Sequence, residues 1–189
     1  MINNSKIDYW DEEVEQVTAF AGPAISFSHI EADNVGLRPY QAEMKLKVYS
    51  LWDKMDNVML QMPTGTGKTI VFTSVVKDIR KWCVQHSPDS KILIVAHRKE
   101  LIDQASKKLG PIAHGIIQSG KNQRLDLPIQ VASIQTFISR RNYDTMLQMR
   151  FDFIIIDEAH HSMAPGYQKL WNMFPHSKKL GVTATPWRM

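Results

Sequence analysis

The stretch MPTGTGKT at residues 62–69 decides the fold of this chain of 189 residues. It lies between an apolar run at 58–61, which predicts a strand, and an amphipathic segment at 69–82, which predicts a helix. Two glycines let the backbone curl so that successive N–H groups face one point, and the positive end of the helix dipole adds to them. The stretch therefore predicts a phosphate-binding loop formed by Pro63, Thr64, Gly65, Thr66, Gly67, Lys68 and Thr69.

Two residues at the end of this loop have the clearest chemistry. Lys68 supplies a cation for the β- and γ-phosphates of a nucleotide, and the Thr69 hydroxyl suits Mg²⁺. The strict pattern has glycine where Met62 stands, so the match departs from it at one position. The alternative is a glycine-rich turn with an incidental Lys-Thr pair, which the strand–turn–helix context disfavours.

The second informative stretch is FIIIDEAH, in which a buried strand ends in two acids at residues 157 and 158. Asp157 is suited to hold Mg²⁺ through water, and Glu158 to orient and deprotonate an attacking water molecule. Phosphoryl transfer needs a metal clamp, a phosphate cradle and a positioned nucleophile together. An ordinary strand exit with solvated acids is the alternative.

The apolar runs along the chain predict an α/β fold. They are continuous rather than alternating, as expected of parallel strands buried on both faces, and amphipathic segments separate them. We expect a mostly parallel sheet with helices on both faces and a ligand at the carboxyl ends of the strands. The predicted strands are 58–61, 91–96, 129–132, 153–157 and 180–183, and the predicted helices include 69–82 and 99–109.

Composition excludes several classes of protein. Cys83 is the single cysteine, which rules out an internal disulfide or a zinc site of several thiolates. The apolar runs fall far short of the roughly 20 residues that span a bilayer, and no signal-peptide core is present, so we expect a cytoplasmic protein with no membrane partner. The net charge of +4 fits either a polyanionic partner or an ordinary soluble surface.

Charge and spacing divide the chain into two parts. Residues 1–34 are an acidic N-terminal extension with one base and seven acids, and apolar spacing predicts a short helix there before Gly22-Pro23. Residues 35–189 form the predicted ATPase domain, with 22 bases and 12 acids. The extension carries no recognisable chemistry, so we interpret it as a packing segment.

Six motifs stand in a fixed order: LRPYQ (37–41), MPTGTGKT (62–69), VAHRKEL (95–101), ASIQTF (132–137), DEAH (157–160) and GVTATP (181–186). Together they resemble the N-terminal RecA-like P-loop ATPase domain of superfamily 2 helicases. The branch that they resemble most contains type III restriction subunits and DNA-repair helicases. The resemblance covers residues 37–188.

The resemblance implies further site residues. In the adenine site, Arg38 would stack on the base and Gln41 would hydrogen-bond its edge, although a helix entry explains this motif equally well. Backbone contacts to nucleic acid would come from His97, Arg98, Ser133 and Thr136. For two of these, capping by Ser133 and a solvated Arg98 are the alternatives. A polar bridge between the nucleotide and nucleic-acid sites would consist of His160, Thr183 and Thr185.

The resemblance also implies an activity. It predicts an ATP-dependent DNA helicase or translocase that uses ATP and Mg²⁺, with DNA favoured over RNA. Family members carry a second RecA-like domain that supplies arginine fingers, so we expect residues 1–189 alone to hydrolyse ATP slowly. A nucleotide-switched nucleic-acid-binding module and a small-molecule kinase are the alternatives.

Overall fold

The computed structural model describes residues 26–120, 124–139, 142–161 and 164–185. Its centre is a six-stranded sheet in which every pairing is parallel, in the order β1-β6-β5-β2-β4-β3. The strands are β1 Asn57–Gln61, β2 Ile92–Ala96, β3 His114–Ile117, β4 Ile129–Ser133, β5 Phe153–Asp157 and β6 Lys178–Thr183. All six carboxyl ends therefore lie at one edge of the sheet.

Helices cover both faces of the sheet, as predicted. The first three contribute to the apolar core on one face, and the last three to the core on the other. They are α1 Pro39–Trp52, α2 Lys68–His86, α3 Lys99–Leu109, α4 Ile134–Phe137, α5 Tyr143–Gln148 and α6 Pro165–Met173, with 3-10 turns at Phe27–His29 and Ala159–His161. Within the described ranges, none of these helices has the length and apolarity that a membrane crossing requires.

The two edge strands depart from the sequence prediction. β3 was not predicted, because its apolar run is short and it buries only alternate side chains. The prediction that all strands are buried on both faces is wrong for β1, which buries Val58 and Leu60 while Met59 is 40% exposed. An edge strand lies beyond the reach of the covering helices, so one of its faces can stay open.

Residues 26–34 pack against the sheet rather than standing apart from it. Phe27 is 1% exposed, and its ring lies 5.2 Å from that of Trp52 and 6.0 Å from that of Phe153. Its backbone N–H also donates to the Asp53 carboxylate. This contact supports the interpretation of a packing segment, whereas the helix predicted before Gly22-Pro23 lies outside the described residues.

Candidate functional site

The phosphate loop connects β1 to α2 and owes its shape to two glycines. Gly65 and Gly67 have φ angles of 81° and 86°, in the left-handed region that other residues rarely adopt. A Cβ atom at Gly67 would also lie only 2.5 Å from Nε2 of Gln41. Gly67 caps α2, whose first turn presents N–H groups that no helical carbonyl can satisfy. This geometry is that of an anion site.

The acid pair lies at the same edge of the sheet as this loop. Only β6 separates the ends of β1 and β5, with Gln61 beside Thr183 and Asp157 beside Val182, so the two ends are about 10 Å apart. The pKa of Asp157 is raised to about 6, mainly by burial and then by the negative charge of Glu158. The Lys68 ammonium lowers this pKa in part. The phosphate loop and the acids are therefore close enough to share one cation.

Glu158 reaches its place through an unusual backbone conformation. Its φ of 55° is the one positive value among the described non-glycine residues, and such conformations cost on the order of 1–3 kcal/mol. The Asp157 carboxylate accepts a hydrogen bond from the Glu158 N–H at 2.9 Å, which supports the bend. The Glu158 carboxylate lies 3.3 Å from Nδ1 of His160. This bend therefore accompanies a Glu158 carboxylate that lies beside His160.

The three residues predicted to form a polar bridge are in contact. Nδ1 of His160 lies 3.1 Å from the Thr183 hydroxyl, which donates in turn to the Thr185 carbonyl at 3.2 Å. His160 also faces Glu158, so the chain of contacts begins at the acid pair. Its role in coupling stays a prediction, and Pro186 at the end of this motif lies outside the described residues.

The predicted adenine site is built around the side chain of Gln41, which is 4% exposed. Its Oε1 accepts the backbone N–H of Arg38 at 2.9 Å, and its Nε2 donates to the Thr66 carbonyl at 2.8 Å. Arg38 is the residue that caps α1, and Pro39 follows as its first residue. The helix-entry interpretation is thus correct locally, while the contact of both residues with a base stays a prediction.

Tyr40 is a residue of this region that sequence reasoning missed. Its hydroxyl donates to the same Thr66 carbonyl at 2.8 Å, so two adjacent side chains of α1 hold the phosphate loop. The sequence pattern indicated only that Tyr40 belongs to the start of a helix. Its position beside Gln41 was the available signal, since both belong to the first turn of α1.

The residues predicted to contact nucleic acid follow two neighbouring strands. His97 and Arg98 come directly after β2, and Ser133 ends β4, where it pairs with Ala96. Ser133 begins α4 but makes no side-chain cap bond; its hydroxyl donates instead to Gln135 at 2.7 Å. The capping alternative for Ser133 is therefore wrong.

Two more contacts complete this loop region. Gln135, which sequence reasoning did not single out, bonds to Nδ1 of His97 at 3.0 Å and so joins the two loops. The carbonyl of Thr136 accepts bonds from Ser139 and Asn142, both at 2.9 Å, and these order the segment after α4. The structure thus brings all four predicted contact residues to two adjacent loops at the carboxyl edge.

A cavity of about 270 Å³ lies between the segment after β2 and Glu158. Its lining consists of His97, Arg98, Leu101, Glu158 and His160. The cavity therefore shares residues with the predicted nucleic-acid loops, the predicted catalytic acid Glu158 and the predicted polar bridge.

Several known proteins are similar to this chain. A 51.5 kDa protein of a Lactococcus phage is 32% identical over 131 residues, which cover 69% of this chain and 25% of that protein. The putative ATP-dependent helicase IRC3 of Saccharomyces cerevisiae is 35% identical over 149 residues, covering 75% and 21%. The DNA 3'-5' translocase XPB2 of Sulfurisphaera tokodaii is 29% identical over 159 residues, covering 82% and 32%. The chain spans about a fifth to a third of the length of these relatives.

Two solved structures confirm the fold. One is a nuclease-deletion mutant of the type ISP restriction-modification enzyme LlaGI in complex with a DNA substrate mimic. It superposes with a TM-score of 0.60 at 20% sequence identity, and the match covers 79% of this chain and 17% of the LlaGI chain. The other is the SWI2/SNF2 ATPase core of Sulfolobus solfataricus in complex with dsDNA. Its TM-score is 0.64 at 17% sequence identity, and the match covers 83% of this chain and 34% of that chain. Both share the RecA-like arrangement predicted from the motifs.

The family model described as "Type III restriction enzyme, res subunit" matches residues 34–188, which is most of the chain. The match includes the phosphate loop, the acid pair and both segments predicted to contact nucleic acid. It excludes the alternative of a small-molecule kinase. The chain belongs to this family, ResIII, and is an ATPase domain of the superfamily 2 helicase type.

Proposed function

We propose that this domain hydrolyses ATP with Mg²⁺ to move on or unwind DNA when it is joined to a second RecA-like domain. The observation that carries the proposal is the meeting of the phosphate loop and the acid pair at one edge of the sheet. Lys68 binds the terminal phosphates, and the N–H groups at the start of α2 hold them in place. Glu158 orients the attacking water and accepts its proton.

The residues present fit a magnesium ion. Asp157 is 3% exposed, and its burial raises the pKa of the carboxyl to about 6. A neighbouring cation stabilises the charged form of such a carboxyl. The hydroxyl of Thr69 at the start of α2 supplies a second oxygen, and Mg²⁺ prefers oxygen ligands together with substrate phosphates. When bound, Mg²⁺ neutralises charge on the transferred phosphate.

Three observations support DNA as the substrate. Residues 35–189 carry ten more bases than acids, which suits a polyanion. His97 and Arg98 stand exposed after β2 at the same edge as the acid pair. One relative is named a DNA translocase, and both similar structures contain DNA or a DNA mimic.

The substitution Glu158→Gln in the full-length protein tests this function. The amide keeps the shape of the side chain but cannot accept a proton, so we expect ATP binding to persist while hydrolysis and movement on DNA are lost. Glu43→Gln changes an exposed acid of α1 in the same way and should alter neither. Hydrolysis at the wild-type rate by Glu158→Gln contradicts the assigned role. Function that survives the loss of hydrolysis favours the nucleotide-switched binding module.

A further inference from the structure

Three polar side chains connect the loop after β2 to the loop after β4. The Ser133 hydroxyl donates to Oε1 of Gln135 at 2.7 Å, and Nε2 of Gln135 lies 3.0 Å from Nδ1 of His97. Their strands are neighbours, with Ala96 paired to Ser133, so the contact joins two segments 38 residues apart in the sequence. Gln135 is exposed on the short helix α4 and belongs to neither the phosphate loop nor the acid pair.

The chemistry of the amide gives this contact a direction. An amide oxygen only accepts hydrogen bonds and an amide nitrogen only donates them. Because Oε1 accepts from Ser133, Nε2 is the atom that donates to His97. Nδ1 of His97 must then be the unprotonated ring nitrogen, and a neutral ring carries its proton on Nε2.

We propose that Gln135 is a positioning residue that fixes His97 as its Nε2–H tautomer and holds the two nucleic-acid loops at one spacing. His97 lines the cavity of about 270 Å³ together with Arg98. A neutral histidine with its proton on Nε2 is a donor, as a phosphate oxygen requires. Ser133 then acts through Gln135, by orienting its amide, rather than by giving its own proton to a phosphate. This inference rests on the proposed nucleic-acid contact of His97.

The tautomer of His97 is the first measurement, and it does not require DNA. Long-range proton–nitrogen spectra of the ¹⁵N-histidine-labelled chain report which ring nitrogen carries the proton, and His97→Ala assigns the signal by its loss. We expect the proton on Nε2 in the wild type. In Gln135→Glu the carboxylate can only accept, so the proton should appear on Nδ1. A proton on Nδ1 in the wild type, or no change in Gln135→Glu, overturns the proposal.

DNA affinity is the second measurement, made with the full-length protein and a labelled oligonucleotide. We expect Gln135→Ala to bind about three- to tenfold more weakly, as loss of one hydrogen bond implies. The same change in a His97→Ala background should have no further effect, because Gln135 acts through His97. Gln148→Ala removes an exposed glutamine of α5 and should bind as the wild type does.

The outcomes separate this inference from the proposed function. Additive losses in the double variant, or unchanged affinity of Gln135→Ala, overturn the positioning role of Gln135. Failure of the wild type to bind DNA at all counts against the proposed function instead. The tautomer measurement still tests the contact in that case, since the contact exists within the protein alone.

Discussion

At the scale of single residues, Gly67 meets two separate demands of the phosphate loop. Its φ of 86° disfavours any side chain, and Nε2 of Gln41 occupies the space that a Cβ would need. The second demand links the loop to α1, because the same Nε2 bonds to Thr66. Gly110, by contrast, has a φ of 65° with open space around it.

Gly67→Ala should therefore lower ATP affinity far more than Gly110→Ala. Each substitution places an alanine at a positive φ that side chains rarely adopt, but only Gly67→Ala also displaces the Gln41 amide from the loop. Titration with a fluorescent nucleotide gives the affinity, and urea unfolding gives the free energy for both variants. Equal nucleotide affinity of the two variants would show that the Gln41 contact does not shape the loop.

Lys179 provides a pH-dependent prediction. It is 1% exposed on β6, and burial lowers the pKa of its ammonium to about 8, against a weaker opposing effect of Asp56. Between pH 8 and the ordinary pKa of 10.5, Lys179 is protonated in the unfolded chain but largely neutral in the folded one. Raising the pH through this window should therefore increase the free energy of unfolding by about 1–3 kcal/mol. Lys179→Met should lack this rise. Urea unfolding of both proteins at pH 8 and 10.5 measures it, and parallel curves would contradict the lowered pKa.

Residue chemistry could be predicted from the sequence where a side chain acts on an expected ligand. Lys68 and Asp157 were predicted because phosphate and Mg²⁺ require a cation and a carboxylate. The structure brings both to one edge, and their roles stay predictions. Tyr40 and Gln135 were not identified, because their partners are a loop carbonyl and a histidine from other segments. Such contacts depend on which loops are neighbours, and spacing along the chain does not contain that information.

At the scale of elements, a buried ion pair joins the two helices that begin at the nucleotide site. Lys45 of α1 and Asp78 of α2 lie 2.7 Å apart, with side chains 0% and 2% exposed. Asp78 also accepts from Tyr49 and from the backbone of Asp33, and Lys45 donates to the Asp33 carbonyl. The pair therefore fixes α1, α2 and the segment before α1 as one unit.

Lys45→Met should destabilise the domain by about 3–5 kcal/mol, because it leaves the Asp78 charge buried without its partner. The exposed pair of Lys81 and Glu31 offers a control on α2, the helix that carries Asp78, and Lys81→Met should cost no more than about 1 kcal/mol. Urea unfolding at neutral pH compares the two. Similar losses would indicate that the buried pair contributes no more than a surface one.

The burial of strands could be predicted more closely in the middle of the sheet than at its edges, although the inner strand β6 begins at Lys178, two residues before its predicted start. β2, β4 and β5 match the predicted ranges within one residue, because burial on both faces requires a continuous apolar run. β3 at one edge escaped detection, and β1 at the other was assigned the wrong burial. An edge strand has one open face, and the sequence alone did not reveal the order β1-β6-β5-β2-β4-β3.

At the scale of the whole molecule, unequal distribution of charge predicts how DNA binding responds to salt. Bases outnumber acids by ten in residues 35–189, so phosphate contacts should release counterions. For the full-length protein we expect affinity to fall roughly tenfold or more between about 50 and 200 mM salt. Salt-independent binding would count against a face that follows phosphates.

A matched pair of substitutions locates that face. Arg98→Gln should lower the salt slope by about one, as expected for one lost phosphate contact. Arg150→Gln removes an exposed base at the opposite edge of the sheet, before β5, and should leave the slope unchanged. Equal slopes for the two variants would place the DNA elsewhere on the surface.

The backbone bend at Glu158 has a consequence for how this protein can change over evolutionary time. Glycine would occupy that φ of 55° without strain, so a sequence selected for thermal robustness alone would discard the carboxylate. The proposed catalytic role of Glu158 and the stability of the backbone at this position therefore favour different residues. Attempts to stabilise the protein by relieving strained backbone conformations should therefore not begin at Glu158.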